Sequence, residues 1–385
     1  MSEYQYYEFL AVDRPLNEQE IEALRALSSR ARITATSFVN HYDFGDFKGN
    51  PDRLVERYFD FFLYLANWGS RCFMLRVPAR LLKGSLVQPY CPGDNAEMRQ
   101  VGGNLILDYT RDEDGEDWDW NDDGRGRMAA LAPVRTALLR GDLRLLYLGW
   151  LLAAQEGVLE DEAVEPDAPP GLAQLDGPLL AFVDFMGIDR DLVAAAASGD
   201  QPAIRRPLSR DEIMAALRGL SDEEKNAFLL RMALGEESHV GLELLRRLEG
   251  HIGKGASTRS ASSSRRTVGE LFALADTIRD ARQRREAERK ASERARQVQQ
   301  QAAAREKHLK HLSGREEKAW VEVEVFISER SAAQYDQAAA LLVDLRELAT
   351  RSGQTASFIA RIAAIRQEHA RKSSLIERLD KAGLR

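Results

Sequence analysis

Cysteine is nearly missing from this chain: Cys72 and Cys91 are the only two in 385 residues. Two thiols cannot build a disulfide framework or a four-cysteine zinc site, so a reducing, cytoplasmic setting is expected. Long hydrophobic runs are absent as well. The most apolar stretch, Leu143 to Ala154, contains Arg144 and is too short to cross roughly 30 Å of hydrocarbon as a helix. It is expected to be a buried core helix, and no membrane partner is anticipated. The opening residues, Met1 to Glu8, carry neither the basic stretch nor the apolar core of a signal peptide.

Recognisable catalytic motifs are equally scarce. The chain contains no G-x-G-x-x-G, G-x-S-x-G or H-E-x-x-H. Gly253-Lys254-Gly255 has a lysine between glycines, but a phosphate loop would need glycine where Leu248 stands and Ser or Thr where Gly255 stands. No cofactor is therefore expected.

Charge is abundant and unevenly divided. Residues 1–253 carry 27 basic and 43 acidic side chains, residues 254–310 carry 15 and 7, and residues 311–385 carry 12 and 11. An acidic body joined to a basic segment suggests an interaction arm or attraction between the two parts. The 44% apolar content and mean hydropathy of -0.41 suit a water-soluble chain with room for more than one domain.

The pattern reads as α+β and mostly α. Residues 1–127 are expected to form a small α/β head with a ferredoxin-like arrangement. Its strands are read at Tyr4 to Val12, Thr36 to Tyr42 and Arg71 to Val77, with a short extra one near Phe44 to Phe47. Asn17 with Glu20 looks like a capping pair, and Asn50-Pro51 starts a helix that is read as continuing through Tyr58, Phe61 and Phe62 to Leu65. Another strand, Asn104 to Tyr109, precedes a solvated loop, Asp112 to Asp123, in which eight of twelve residues are acidic. Residues 128–250 read as a helical domain; Ser209 with Glu212 and Ser221 with Glu224 match the S-x-x-E capping box. Residues 251–266 have linker composition. A long basic helix, 267–311, loses its hydrophobic stripe beyond Ala281, so a coiled-coil seam there is weak, although self-association is left open. Residues 312–385 read as helical hairpins with Trp320, Ile327, Tyr335, Ala338, Leu342, Leu345, Phe358, Ile362, Leu375 and Leu379 facing inward, a helical-repeat-like module.

Each candidate site has a plainer reading beside it. Asp119, Asn121 and Asp123 followed by Gly124 match the first half of a calcium loop, in which alternate oxygens converge. The carboxylate expected to complete the site falls on Ala130, which favours a solvated acidic loop. Glu236 and His239 share a helix face, as in di-iron bundles, but no second Glu-x-x-His occurs. His308 and His311 lie one turn apart on the basic helix, and Cys72 fits a small buried side chain. Arg282, Arg284, Arg285, Arg289, Lys290, Arg294 and Arg296 form a candidate nucleic-acid surface, since clustered cations neutralise phosphates. The interleaved Glu286, Glu288 and Glu293 suit i,i+4 pairing along a solvated helix instead. Asp43, Asp46, Trp68 and Asp142 stand near predicted element ends and are the candidates for an unfamiliar enzymatic site.

Three stretches, Tyr6 to Leu16 with Ala66-Asn67-Trp68-Gly69, Leu139 to Leu151, and Glu368 to Leu384, resemble a widespread bacterial family of uncharacterised proteins over almost the whole chain. The final helices are also similar to the C-terminal helices of some bacterial SWIM zinc-finger proteins. The zinc-finger cysteine and histidine set is missing here, so that likeness carries over no metal role. Neither resemblance implies an activity. The expectation is a non-enzymatic interaction or scaffold protein with a protein partner, nucleic-acid association through 254–310 being the alternative.

Overall fold

The computed structural model describes residues 4–112, 123–198, 208–235, 238–252 and 265–385. They fall into two compact units, Met1–Arg282 and Gln283–Arg385. The chain is α+β and mostly α.

Among the described residues the first unit is built on seven strands: β1 Gln5–Leu10, β2 Arg32–Ile33, β3 Ser37–Tyr42, β4 Phe61–Ala66, β5 Arg71–Pro78, β6 Ala96–Val101 and β7 Asn104–Arg111. They form one sheet in the order β2-β3-β1-β4-β5-β7-β6, and every neighbouring pair is antiparallel. Helices α1 Glu18–Leu27 and α2 Pro51–Arg57 are followed by the short α3 Gly84–Val87. Then come α4 Arg127–Leu131, α5 Pro133–Leu139, α6 Arg144–Gln155, α7 Gly177–Met186 and α8 Arg190–Ala197. A further group, α9 Arg210–Gly219, α10 Asp222–Leu234 and α11 Val240–Ile252, precedes the long α12, Val268–Leu312. The second unit adds α13 Glu316–Ser328, α14 Ala332–Arg351, α15 Thr355–Glu368 and α16 Ser373–Lys381.

Both faces of the sheet are covered. Tyr6, Phe61, Leu63, Phe73, Leu75, Leu107 and Tyr109 point one way, into a core shared with α4 to α8 and the first turns of α12. Tyr7, Phe9, Phe38, Phe62, Met74 and Ile106 point the other way, onto Leu24 of α1 and Leu54 and Val55 of α2. The alternation follows from the two-residue period of a strand.

That two-sided burial corrects the reading of Leu54 to Leu65 as one helix. The helix stops at Arg57, and Phe61 begins β4. A strand buried on both faces is apolar without alternation, so periodicity alone does not separate it from a buried helix. The first four strands keep the expected ferredoxin-like order, β4-β1-β3-β2, with α1 and α2 packed on one face. Here α1 joins β1 to β2 and α2 joins β3 to β4, each pair parallel with a third strand between, while β5 and the β7–β6 hairpin extend the sheet beyond β4; β6 is unread in the sequence because half of its residues are polar. No strand forms near Phe44 to Phe47: Phe44 is exposed, and Gly45 takes φ +80°, a left-handed turn conformation.

The helix starts follow the sequence closely. Reciprocal capping boxes join Asn17 with Glu20, Ser209 with Glu212 and Ser221 with Glu224, while Asn50 accepts from the Arg53 amide ahead of Pro51. The first turns of α12 are fastened to their own unit by a short bridge between Val164 and Thr267 and by the Arg266–Glu165 ion pair at 2.9 Å. Glu165 also accepts from the Tyr147 hydroxyl at 2.8 Å.

In the second unit all ten residues expected to face inward form a single buried cluster. Its central helix, α14, lies against α13, α15 and α16. The end of α12 is tied to α14 by Arg305 and His308, both on Asp344.

Gly149 of α6 marks a close approach of helix to sheet, because a Cβ there would overlap the ring of Tyr109 on β7. Gly149→Ala is expected to lower unfolding stability by about 2 kcal/mol through overpacking. Urea denaturation checks it; unchanged stability would contradict this packing.

Candidate interaction surfaces and the buried charge cluster

A group of charged side chains, several of them buried, lies at one end of the sheet, where the chain leaves β1. The Asp60 carboxylate is 1% exposed. It accepts from the amides of Val12 at 2.7 Å and Asp13 at 2.8 Å, and pairs with Arg76 at 2.9 Å. Arg76 also donates to the carbonyls of Val55 and Glu56, at the last turn of α2 where the helix dipole favours a cation. Behind it Arg135 of α5 holds Asp13 through two hydrogen bonds of 2.9 and 2.7 Å, and donates to the Arg76 carbonyl at 2.6 Å. His239 closes the group: its Nε2 lies 2.9 Å from Asp13 Oδ1. That approach is off the line of the ring N–H, so it is a close polar contact more than an aligned hydrogen bond.

Burial on its own would raise the Asp13 carboxyl, but His239 and Arg135 outweigh it and hold the group well below the ordinary carboxylate range. The acceptors of Asp13 and Asp60 are committed to partners within the protein. Such a cluster fastens elements; it leaves no reacting atom free toward a cleft.

The other titratable groups give the same result. Cys72 donates to Asp108 at 3.4 Å, and burial first of all pushes its thiol well up, so the nucleophilic thiolate is suppressed. Burial also raises Cys91, to about 12. Asp142 is taken up by Arg144 at 2.7 Å, and Asp46 accepts from Gln5 at 3.0 Å. Trp68 donates to Ser70 at 3.0 Å in the β4–β5 turn. Asp43 lines a surface hollow with Arg30, Asn40, His41 and Phe44. Among the described residues Asp142 shares no hydrogen-bond partner with the other three.

Asp119 and Asn121 lie outside the described residues, as does Glu236. Asp123 is described, and its carboxylate accepts from the Arg125 amide at 3.1 Å. His308 and His311 are separated by their partners: His308 pairs with Asp344 at 2.7 Å, and His311 faces Arg315 at 3.3 Å. Among the described residues no group of three or more His, Cys, Asp or Glu is disposed to hold a metal ion. Likewise, no helix there is long and apolar enough to cross a membrane.

The surfaces are more distinctive. Arg282 is drawn out of the candidate nucleic-acid set, because it pairs with Asp191 of α8 at 2.7 Å. Arg284, Arg285, Lys290, Arg294 and Arg296 are exposed and make no ion pair or hydrogen bond among the described residues, while Arg289 has only Glu293, at 3.8 Å.

A different surface went unread in the sequence. Helix α10 buries none of its residues, and Leu229, Leu230 and Leu234 are 62%, 61% and 57% exposed, with Met232 also exposed. At about 100° per residue Leu229, Leu230, Ala233 and Leu234 share one side. The helix is held to α11 by charge, through Arg231–Glu243 at 2.7 Å and Arg247–Glu224 at 2.6 Å. The signal in the sequence is a run from Phe228 to Leu234 broken only by Arg231; that composition ordinarily goes to a core.

Comparison with protein families, with curated proteins and with solved structures finds no match to this chain.

Because Asp13 is depressed in the folded chain, its stabilising contribution is fully present above its unfolded value of about 4 and is lost as pH falls below that. Asp13→Asn is expected to cost about 3 kcal/mol at neutral pH and to flatten the fall in stability below about pH 4. Urea titrations from neutral to acid pH measure both; an unaltered acid slope in the variant would contradict the assignment.

Proposed function

We propose that this chain is a non-enzymatic interaction or scaffold protein of the cytoplasm that presents helix surfaces to a protein partner. The observation that carries this reading is the uncovered apolar side of α10. Burying a leucine is worth about 1.5 to 3 kcal/mol, so several adjacent exposed leucines represent binding free energy available to a partner. The buried charges of the first unit, each taken up inside the fold, support it from the other direction. The resemblance to the widespread bacterial family fits this proposal but adds no activity to it.

Leu229→Glu combined with Leu230→Glu should leave the thermal unfolding midpoint within about 2 °C of the parent, since neither side chain is buried. Quantitative affinity purification from the native cell should then show a defined set of proteins held by the parent and lost with the variant. An identical set with both chains would contradict the proposal. So would turnover of a small compound abolished by one side-chain change.

A second reading, nucleic-acid association through the basic helix, is favoured by Arg284, Arg285, Lys290, Arg294 and Arg296, which make no ion pair among the described residues. At about 100° per residue Arg285, Arg289 and Arg296 fall on one side of α12, though Glu293 stands beside them. Binding by this route should weaken steeply with salt, the logarithm of the constant falling by about 0.7 to 0.9 per phosphate neutralised for each tenfold rise in salt. Mobility shifts across a salt series test it, and no shift at low salt ends it.

A further inference from the structure

The second unit carries a groove of about 340 Å³ between α13 and α15, lined by Trp320, Val321, Glu324, Arg361, Ile365 and Glu368. The two helices meet there through long side chains. The Trp320 ring touches Phe358, with centroids 5.6 Å apart, and the Arg361 guanidinium lies over the same indole at 4.7 Å. Arg361 is itself bound by both carboxylate oxygens of Glu317, at 2.6 and 2.9 Å. The only cation lining the groove is therefore already neutralised, and the interaction holds the Glu317 carboxyl below its ordinary value.

What remains unpaired is negative and apolar. Among the described residues Glu324 and Glu368 make no hydrogen bond or close ion pair, although Glu324 stands near enough to Arg361 to act on it through charge. Val321 is 63% exposed, and Val325 one turn further along α13 is exposed too. An apolar floor with carboxylates on both walls complements an amphipathic segment whose apolar side chains enter the groove while lysine or arginine meets Glu324 and Glu368. The volume, at the lower end of the range for small-molecule pockets, suits one or two anchoring side chains.

The geometry points to this groove as the docking site for a basic, leucine-bearing helical segment of a partner protein. The inference rests on the interaction-protein reading above and supplies the partner's chemistry. A second copy of this chain fits less well. Its own exposed basic stretch, 283–297, contains no apolar residue larger than alanine and would leave the floor uncovered.

The test uses the full chain and two short fluorescein-labelled helical peptides, each with leucine at every third or fourth position and either lysine or glutamate at the remaining ones. Fluorescence anisotropy should show binding of the lysine peptide and none of the glutamate peptide. Glu324→Gln together with Glu368→Gln should weaken the lysine peptide about fivefold to tenfold, and Val321→Ser should weaken it as well. Leu229→Glu with Leu230→Glu should leave it unchanged, so failure here is separable from failure of α10 as an interaction surface. Equal binding by the parent and the double glutamine variant would overturn the proposal, as would binding of neither peptide. Sedimentation showing a dimer that the lysine peptide dissociates would assign the groove to a second copy and overturn it too.

Discussion

The carboxylate of Asp60 is the point on which the first unit turns. It is almost wholly removed from water, yet it receives two backbone amides and the Arg76 guanidinium, with Arg135 3.7 Å away. A buried charge is tolerable only when its partners are complete. Here the partners come from both helical layers: Arg76 reaches the end of α2 on one side of the sheet, and Arg135 belongs to α5 on the other. Asp13 then carries the same network outward to His239, immediately before α11. The segment that leaves β1 is thereby fixed against α5 and α11, and the group α9 to α11 gains one of its attachments.

Local signals in the sequence were the readable ones. Capping residues at Asn17, Asn50, Ser209 and Ser221 marked helix starts, since those side chains satisfy first-turn amides wherever the helix later packs. The helices of the second unit were legible for a related reason: each buries one side only, so Trp320, Leu342, Phe358 and Leu375 show helical spacing. Two-sided burial erased that spacing at Phe61 and Phe62, and a strand was read as helix. The pairing of Asp13 with Arg135, 122 residues apart, has no local trace at all. Nor does the sequence tell that the apolar run of α10 stays in solvent, because the helix is held by charges on its neighbour and not by its own leucines.

The uneven charge of the chain has a concrete expression at the start of α12. Arg279 and Arg282 reach Asp189 and Asp191, so the first cations of the basic segment are used to seat the helix on its acidic unit. Among the described residues Arg284, Arg285, Lys290, Arg294 and Arg296, further along, make no such ion pair. The same helix thus has a fastened part and a presented part. Fastening and presentation are separated elsewhere as well: Trp320 is packed into the second unit while Val321, the next residue, lies open. The buried polar groups of the first unit thus join its elements to one another.

That joining role is tested most directly by a double-mutant cycle on Asp60 and Arg76, with Asp60→Asn, Arg76→Met and the pair compared by urea denaturation. A fastening role predicts that each single change destabilises by about 3 kcal/mol and that the two are coupled by about 2 kcal/mol. Residues kept for chemistry are commonly held at a cost to stability, and replacing them tends to leave the fold as stable or more so. Single variants at least as stable as the parent would therefore contradict the account.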